Sequence, residues 1–505
     1  MPTSQHMIKI ARQVSFALYA ILIVVMALAT FFEQFYGTEA AHEYIYASWW
    51  FYGLWAAALA TSALCIHKHL RWLLRLSQCT ISLFRRLLRY CRHRLPQKKM
   101  MTLVIFFIAH LCLPTSASSV QIRTAERLQA EEMKRAQVVY NGRICPLNTP
   151  ALDFIRKLTG KTSFRSLTAE QVLLSWSLYP EEWKNVEMIR VKNDDVRHQL
   201  GIKGNMACFA DFFDSYGHYL LEEGKYPDID DKLTTIVLLT RGELYTPIIS
   251  NSHMLSPTKT EAEIIYNTVP WQPILISACF FLAILSFAVT GRRAECRVKG
   301  FVVAAQALLT TVLLFSLLLR WYVSGHCPLT STYETLQVVA LTALLASFIF
   351  PSYRLASLLV TGSSLLVSHL SSLNPQITAL TPALDSPWLS SHVTTIMLSY
   401  SLFALLLFRP ARSMLLAAEL LLATGIILGA IWAKTAWGSY WQWDPKETWA
   451  LITLLIYMFP LHPASLPWFA NPRHMKAYLR LAFLSVLMTY FGCNYILTGL
   501  HSYAG

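Results

Sequence analysis

The segment WGSYWQWDPKETW, which we call the aromatic loop, concentrates aromatic and charged side chains in residues 437–449. Its members that can contact a ligand are Trp437, Tyr440, Trp441, Trp443, Asp444, Pro445, Lys446, Glu447 and Trp449. Tryptophan rings offer flat apolar faces, and a lysine can pair with a carboxylate at the edge of a bound molecule. The composition favours a planar ligand with acidic substituents, and the alternative is a belt of aromatic rings at a membrane surface.

Haem is a candidate for that ligand because it joins a wide apolar macrocycle to two carboxylates. Haem iron also needs axial ligands, and histidine is the commonest. His392 begins an apolar run and His501 follows the last one, so both are predicted on the face that carries the aromatic loop. Two imidazoles there can clamp an iron from opposite sides. His326 and His369 lie near the same face, and for each of these four an ordinary helix-end histidine is the alternative.

A second set of histidines lies within or beside apolar runs, away from that face. Its members are His462, His110, His67 and His69. An ionisable side chain inside a bilayer is costly, so its presence indicates a function. Neutral histidine is the least costly of these side chains, and a structural role therefore stays open for each one.

The elements that must position these residues are membrane helices. The chain has 505 residues, of which 54% are hydrophobic and only 14% charged. We predict an all-α polytopic membrane protein with about eleven transmembrane helices, since an apolar run of about 18 residues or more can cross a bilayer. The predicted spans lie near 14–32, 49–66, 101–115, 270–290, 300–320, 333–350, 354–370, 392–408, 412–434, 448–461 and 478–498.

The net charge of +14 is unevenly distributed. Lysines and arginines cluster at 9–12, 67–99, 292–299, 354, 409–412 and 473–480, while the alternate loops hold almost none. This pattern places the N-terminus in the cytoplasm and the C-terminus, with the aromatic loop, outside. The run 67–99 has ten Lys or Arg and no acidic residue, so we expect an amphipathic helix against anionic lipid, and no nucleic-acid partner.

Residues 116–268 differ in character, because they are mixed in charge and hold no apolar run long enough to span. We predict an extracytoplasmic soluble domain there, mixed or mostly helical, between an N-terminal part (1–115) and a C-terminal part (269–505). One helix is predicted over 124–139 and another after Thr168, which caps it three residues before Gln171. The segment 234–240 is ambiguous between strand and helix.

The ten cysteines include no CxxCH motif, so the chain is not itself a c-type cytochrome by the usual attachment motif. Most of them fall in apolar runs, where cysteine usually acts as a small buried hydrophobe. Cys145, in NGRICPLNTP, stands outside such a run and is a candidate for exchange with substrate thiols, although no second cysteine lies at a redox spacing.

The aromatic loop resembles the tryptophan-rich WWD signature of a superfamily of haem-handling proteins. Residues 268–505 resemble CcsA (ResC), a component of the System II cytochrome c synthase. The matching stretches are GHCPLTSTYET at 325–335, ALDSPWLSSHVTTIMLSY at 383–400, the aromatic loop, and FGCNYILTGLHSYAG at 491–505. The segment ATFFEQFYGTEAAHEYIYASWWFYGLW at 29–55 is similar to the start of the CcsB (ResB) partner. The whole chain resembles a CcsBA fusion of reduced size.

This resemblance implies a role for each candidate histidine. His392 and His501 would be the outer axial pair beside the aromatic loop, and His462 would ligate haem at an inner site. The second inner ligand in the family lies in the partner's third span, where this sequence has FIAHLC, so His110 is the match and His67 is its rival.

The resemblance also implies an activity. Haem b with reduced iron would move from the cytoplasm to the outer face of the bacterial inner membrane and be attached by thioether bonds to the CxxCH motif of apocytochrome c. That holocytochrome c synthase (haem lyase) activity would need a thiol-reducing system on the outer face. Two alternatives stay open: a haem exporter or chaperone that presents haem without attaching it, and a b-type membrane electron carrier.

Overall fold

A computed structural model describes residues 2–66, 122–248, 254–290, 296–371, 375–380 and 384–497 of the chain. Within these ranges the chain is mostly helical, in agreement with the predicted fold class. The basic run at 67–99 and the span predicted at 101–115 lie outside the described residues. The total of eleven spans and the placement of one domain outside the membrane therefore stay predictions.

The chain begins with an N-terminal hairpin of helices, residues 2–66. It consists of α1 (Pro2–Tyr36), the short α2 (Thr38–Ala41), a π-helical turn (His42–Tyr46) and α3 (Trp49–Ile66). Helices α1 and α3 pack against each other. Leu22, Met26 and Ala29 of α1 are fully buried, so this helix has an inward stripe at helical spacing.

Residues 122–268 form a mixed region with its own apolar core, in which Phe154, Trp176 and Trp183 are almost fully buried. Its helices are α4 (Arg127–Met133), α5 (Asn148–Thr159), α6 (Ala169–Leu178), α7 (Pro180–Trp183), α8 (Asp194–Gln199), α9 (Pro227–Thr240) and α10 (Pro257–Thr268). Its strands are β1 (Gln137–Tyr140), β2 (Arg143–Pro146), β3 (Ile189–Arg190), β4 (Met206–Ala207) and β5 (Thr246–Pro247). They form an antiparallel sheet of order β2–β1–β5 and a separate β3–β4 pair.

The cap predicted at Thr168 is confirmed, because Thr168 and Gln171 form a reciprocal capping box at the start of α6. The ambiguous segment 234–240 is helical, within α9. The helix predicted over 124–139 is wrong in its second half: α4 ends at Met133 and β1 begins at Gln137. The reason is the Asn141–Gly142 pair, which has positive φ at both residues and closes a two-residue hairpin that pairs β1 with β2.

The C-terminal part is a bundle of helices. They are α11 (Trp271–Thr290), α12 (Cys296–Ser324), α13 (Thr332–Ile349), α14 (Arg354–Leu370), α15 (Pro387–Leu406), α16 (Arg412–Trp437), α17 (Pro445–Met458) and α18 (Pro472–Leu487), followed by a π-helical turn (Met488–Gly492) and α19 (Cys493–Tyr495). Helix α15 packs on both α16 and α13, and α14 packs on α11 and α13. The N-terminal hairpin joins this bundle because α1 packs against α17.

Six helices in the described ranges are long and apolar enough to cross a membrane: α1, α11, α12, α13, α15 and α16. The chain is therefore a multi-pass membrane protein. The spans predicted at 354–370 and 448–461 correspond to α14 and α17, which have 17 and 14 residues and are short of the roughly 20 that a helix perpendicular to the bilayer needs. The span predicted at 478–498 corresponds to α18, the π-helical turn and α19, which run without a break from Pro472 to Tyr495.

Two arginines, one fully buried and one partly buried, connect the mixed region to the bundle through one short segment, 375–377. Arg320 of α12 pairs with Glu334 of α13 at 2.6 Å, and both side chains are almost fully buried. The same guanidinium donates to the carbonyls of Pro375 and Gln376 at 2.7 and 2.9 Å. In the mixed region, the Arg143 Nε atom of β2 donates to the next carbonyl, Ile377, at 2.8 Å.

Arg143 is itself held by the mixed region, since its guanidinium forms a two-pronged ion pair with Glu263 of α10 at 2.5 and 3.0 Å. The Thr149 hydroxyl donates to the same carboxylate at 2.6 Å. Because each charge has its partner, the burial of these groups is tolerated.

We expect Arg320→Met to destabilise the bundle, because it leaves the Glu334 carboxylate buried without its cation. Breaking a buried pair from one side costs about 3–5 kcal/mol. The measurement is the thermal unfolding temperature of the purified protein in detergent, with Arg241→Met, at an exposed position, as the control. Equal unfolding temperatures for the two variants would contradict the assignment.

Cys145 lies in β2 and is fully buried in the core of the mixed region. Burial raises the pKa of its thiol to about 12, and the nearby Arg143 guanidinium opposes this only in part. The neutral thiol is a poor nucleophile, because thiolate is the reactive form. This environment does not support the thiol exchange considered for Cys145.

We expect Cys145 to resist alkylation by iodoacetamide at pH 8 in the folded protein. A pKa three units above its ordinary value reduces the thiolate fraction about a thousandfold. Cys208 in the same region is the comparison, because it is half-exposed and burial raises its pKa to about 11. Peptide mass spectrometry should find adducts first on Cys208, and on Cys145 only after unfolding; rapid labelling of Cys145 would refute its burial.

Candidate functional site

The aromatic loop connects α16 to α17, with a glycine at the end of α16 and charged residues at the start of α17. Helix α16 stops at Gly438, whose φ of 83° favours glycine. The Asp444 carboxylate is buried and caps α17 by accepting from the Lys446 backbone N–H at 3.0 Å. The Glu447 carboxylate reaches back to the Gln442 N–H at 2.9 Å. The sequence Asp-Pro-Lys-Glu is thus a helix start, with the cap, the first-turn proline and an acidic first turn in their usual places.

Lys446 is drawn inward by a hydrogen bond from its Nζ atom to the Asn494 side chain at 2.5 Å. Asn494 belongs to α19, so this contact fastens the aromatic loop to the last described helix. The ammonium group thus lies at a contact between two helices, and its pairing with a ligand carboxylate stays a prediction.

Trp443 is the best-defined ring of the aromatic loop. Its indole is stacked on Tyr46 of the N-terminal hairpin, with ring centroids 5.1 Å apart and planes 5° from parallel. Phe51 of α3 meets it edge-on at 5.2 Å, and Trp441 stands perpendicular to it at 5.6 Å. The rings of Trp441 and Trp443 therefore form two walls at a right angle to each other.

The backbone at Trp443 has a φ of 60°, in the left-handed region. A bulky residue rarely adopts this conformation, which costs about 1–3 kcal/mol and persists only when the surroundings impose it. Such strain concentrates at binding and catalytic sites.

The other aromatic side chains of the loop each have their own contacts. Trp437 packs edge-on against Trp432 at 4.7 Å. Tyr440 is 59% exposed and has the Lys434 ammonium 5.6 Å from its ring centroid. Trp449 lies on α17 and donates from its indole N–H to the Thr30 hydroxyl of α1 at 3.1 Å.

His392 lies in the second turn of α15, where its ring is held by a main-chain contact. Its Nδ1 atom is 2.7 Å from the carbonyl oxygen of Gly425 on α16. A carbonyl can only accept, so Nδ1 carries the proton and the lone pair is on Nε2, which is the form that binds a metal. Glycine at 429 makes room for this ring, since a Cβ there would lie 2.7 Å from the imidazole.

Helix α16, whose Gly425 carbonyl contacts the His392 ring, leads into the aromatic loop. Gly429 precedes Trp437 by eight residues, or about 12 Å of helix rise. His392 and the loop therefore lie near one end of the bundle.

His462 lies at the other end of α17, just past a 3₁₀ turn that follows Met458. Its Nδ1 atom is 3.0 Å from the Met458 carbonyl, so its lone pair is also on Nε2. Phe16 of α1 meets its ring edge-on at 5.6 Å. Because α17 has 14 residues, the loop and His462 are about 21 Å apart along the helix.

Three predicted ligands, His501, His110 and His67, lie outside the described residues, and their roles stay predictions. His369 contacts Gln272 at 3.3 Å. His326 lines a cavity of about 230 Å³ whose wall includes the first turn of α15, one turn before His392. Among the described residues its Nε2 atom is buried without a hydrogen-bond partner.

The sequence alone does not identify three residues that contact the aromatic loop: Tyr46, Phe51 and Thr30. They come from the N-terminal hairpin, and no local signal connects them to the aromatic loop. The roles of Asp444 and Glu447, in contrast, could have been found from the ordinary pattern of a helix start.

Comparison with known proteins identifies the family. Residues 406–501, which include the aromatic loop and His462, match the cytochrome C assembly protein family. The chain is 31% identical to "Protein NrfI" of Wolinella succinogenes, over 72% of this chain and 53% of NrfI. It is 34% identical to "Cytochrome c biogenesis protein CcsA" of Chlamydomonas reinhardtii, over 38% of this chain and 65% of that protein.

A CcsA from Synechococcus sp. (strain CC9605) is 32% identical over 43% of this chain and 90% of its own length. The chain spans about half the length of NrfI and just under two thirds of the Chlamydomonas protein. The near-complete coverage of the Synechococcus protein shows the family. The chain belongs to the CcsA family of cytochrome c biogenesis proteins.

Proposed function

We propose that this chain receives haem b on the cytoplasmic side of a bacterial inner membrane, carries it to the outer face, and attaches it to apocytochrome c. The observation that carries the proposal is the orientation of His392. Its Nδ1–H is committed to the Gly425 carbonyl, so the imidazole offers Nε2 to an iron from a fixed direction.

The outer site in this proposal combines His392 and His501 as axial ligands with the rings of the aromatic loop. Trp441 and Trp443 supply perpendicular walls, one for a macrocycle face and one for its edge. Within the described residues the Trp441 indole N–H is buried without a hydrogen-bond partner. A haem carboxylate is an acceptor that would satisfy it, because an unpaired buried donor is costly.

The inner site in this proposal uses His462 with His110, or with His67 as the alternative. Phe16 lies beside His462, so the N-terminal hairpin contributes a wall there. With the two sites about 21 Å apart along α17, haem has to move through the bundle between them.

The reaction proposed at the outer site is the addition of two cysteine thiols of a CxxCH motif to the two haem vinyl groups. In each addition a C–S bond forms, the vinyl π bond and the S–H bond break, and the proton goes to the terminal vinyl carbon. No electron is transferred, but the thiols must arrive reduced, which requires the thiol-reducing system. The chain's contribution is to hold the iron, the vinyl groups and the peptide in one geometry.

We expect His392→Ala to reduce covalent haem attachment at least tenfold, because the iron loses a pre-oriented ligand. The measurement is haem staining of a co-expressed apocytochrome after denaturing electrophoresis, without added imidazole. His369→Ala is the control, since that histidine lies on a neighbouring helix, α14, and should leave attachment unchanged.

Three outcomes separate the alternatives. Full attachment by His392→Ala and also by His501→Ala would overturn the proposed outer site. A wild-type chain that purifies with haem but yields no attached product would favour the exporter. Two permanently bound haems with quinol oxidation would favour the electron carrier.

We expect Gly429→Ala to impair attachment several-fold, with an effect between those of the wild type and His392→Ala. The added methyl group would lie 2.7 Å from the His392 ring and push it away from the Gly425 carbonyl. Gly300→Ala is the matched control, because that helical glycine has open space around it. An unchanged absorption spectrum of haem bound to Gly429→Ala would argue against His392 as its ligand.

A further inference from the structure

We propose that Tyr46, in the turn of the N-terminal hairpin, is a positioning residue that orients Trp443 for haem. This inference rests on the proposed function, because it gives one wall of the outer haem site a support from a different part of the chain. It adds a residue that lies outside the aromatic loop and outside the histidine set.

The first observation is that Trp443 needs an external support. Its left-handed backbone conformation is unfavourable for a bulky side chain, so the surroundings must maintain it. Within the aromatic loop the Thr448 hydroxyl holds the Trp443 carbonyl at 3.1 Å, and only the Trp441 ring contacts the indole edge-on. The residues next to it in sequence fix the loop's ends, through the Asp444 cap and the Glu447 contact with Gln442. Neither contact touches the indole ring.

The second observation is that Tyr46 supplies that support. The two rings are almost parallel and offset, which is a favourable aromatic arrangement. Tyr46 is only 2% exposed, and Phe51, which is fully buried, braces both Tyr46 and Trp443 edge-on. Two rings of the N-terminal hairpin, one stacked and one edge-on, therefore support the plane of Trp443 together with Trp441 of the aromatic loop.

The third observation is that the turn carrying Tyr46 is itself anchored. Helix α1 is fixed to α17 by the bond between Trp449 and the fully buried Thr30. Tyr46 closes a π-helical turn, a form that is rare and is frequent at functional sites. A shift of the N-terminal hairpin would thus be passed to Trp443 as a rotation of its ring.

The hydroxyl of Tyr46 is not the useful group. Its oxygen is buried and forms no hydrogen bond of ordinary geometry among the described residues, although the Thr448 hydroxyl lies close enough to interact with it. Removing this weakly paired hydroxyl costs less than removing the ring, which deletes the stack. The aromatic face is therefore the group that acts on Trp443.

The test compares Tyr46→Phe, Tyr46→Leu and Tyr46→Ala in the full-length chain, purified with its haem. We expect Tyr46→Phe to match the wild type in both the haem absorption spectrum and covalent attachment. Tyr46→Leu keeps the apolar burial but lacks a ring face, and we expect about a three- to tenfold fall in attachment per mole of purified protein. Its haem spectrum should also shift, because the wall beside the macrocycle has moved.

Phe32→Ala is the matched control, since it removes another stack of the same hairpin, the one between Phe32 and Tyr36. Should Tyr46→Ala fail to fold, Tyr46→Leu still decides the question. A wild-type spectrum and yield for Tyr46→Leu, alongside a loss of both for Trp443→Ala, would overturn the role of Tyr46 while leaving the proposed function intact. Wild-type yields for Trp443→Ala and His392→Ala would overturn the proposed function itself.

Discussion

The candidate site depends on the close approach of α15 and α16. Glycines at 425 and 429 let the two helices meet, and a side chain at either position would overlap Ile396 or His392. In an apolar bundle, small residues at an interface allow backbones to approach closely enough for polar contacts between helices. The His392 ring can then reach a main-chain carbonyl, and the helix that supplies this carbonyl continues into the aromatic loop.

The N-terminal hairpin contributes side chains to both ends of α17. Phe16 lies beside His462 at one end of α17, and Tyr46 lies beside Trp443 at the other. Thr30 is bonded to Trp449 between these two contacts. One helix of the hairpin therefore follows α17 along its length, so both candidate haem sites share walls from two distant parts of the chain.

The sequence predicts the helices well where local signals exist. Hydropathy predicts spans at 270–290 and 412–434, which agree closely with α11 and α16. The Thr168 cap is predicted correctly because it depends on two residues only three positions apart. The Asn141–Gly142 turn and the Asp444 cap are local signals too: the first contradicts the helix predicted over 124–139, and the second marks the start of α17, while contact of Asp444 with a ligand stays a prediction. The contact between Thr30 and Trp449 spans 419 residues, and no periodicity or propensity encodes such a pairing.

The three consecutive carbonyls of residues 375–377 join the mixed region to the membrane bundle. Arg320 holds the first two of them from the membrane bundle, and Arg143 holds the third from the mixed region. Each peptide unit is planar, and these two guanidinium groups hold consecutive units of one short segment. Separating the mixed region from α12, whose C-terminal end borders the cavity near His392, would therefore break charge-assisted hydrogen bonds of at least one arginine.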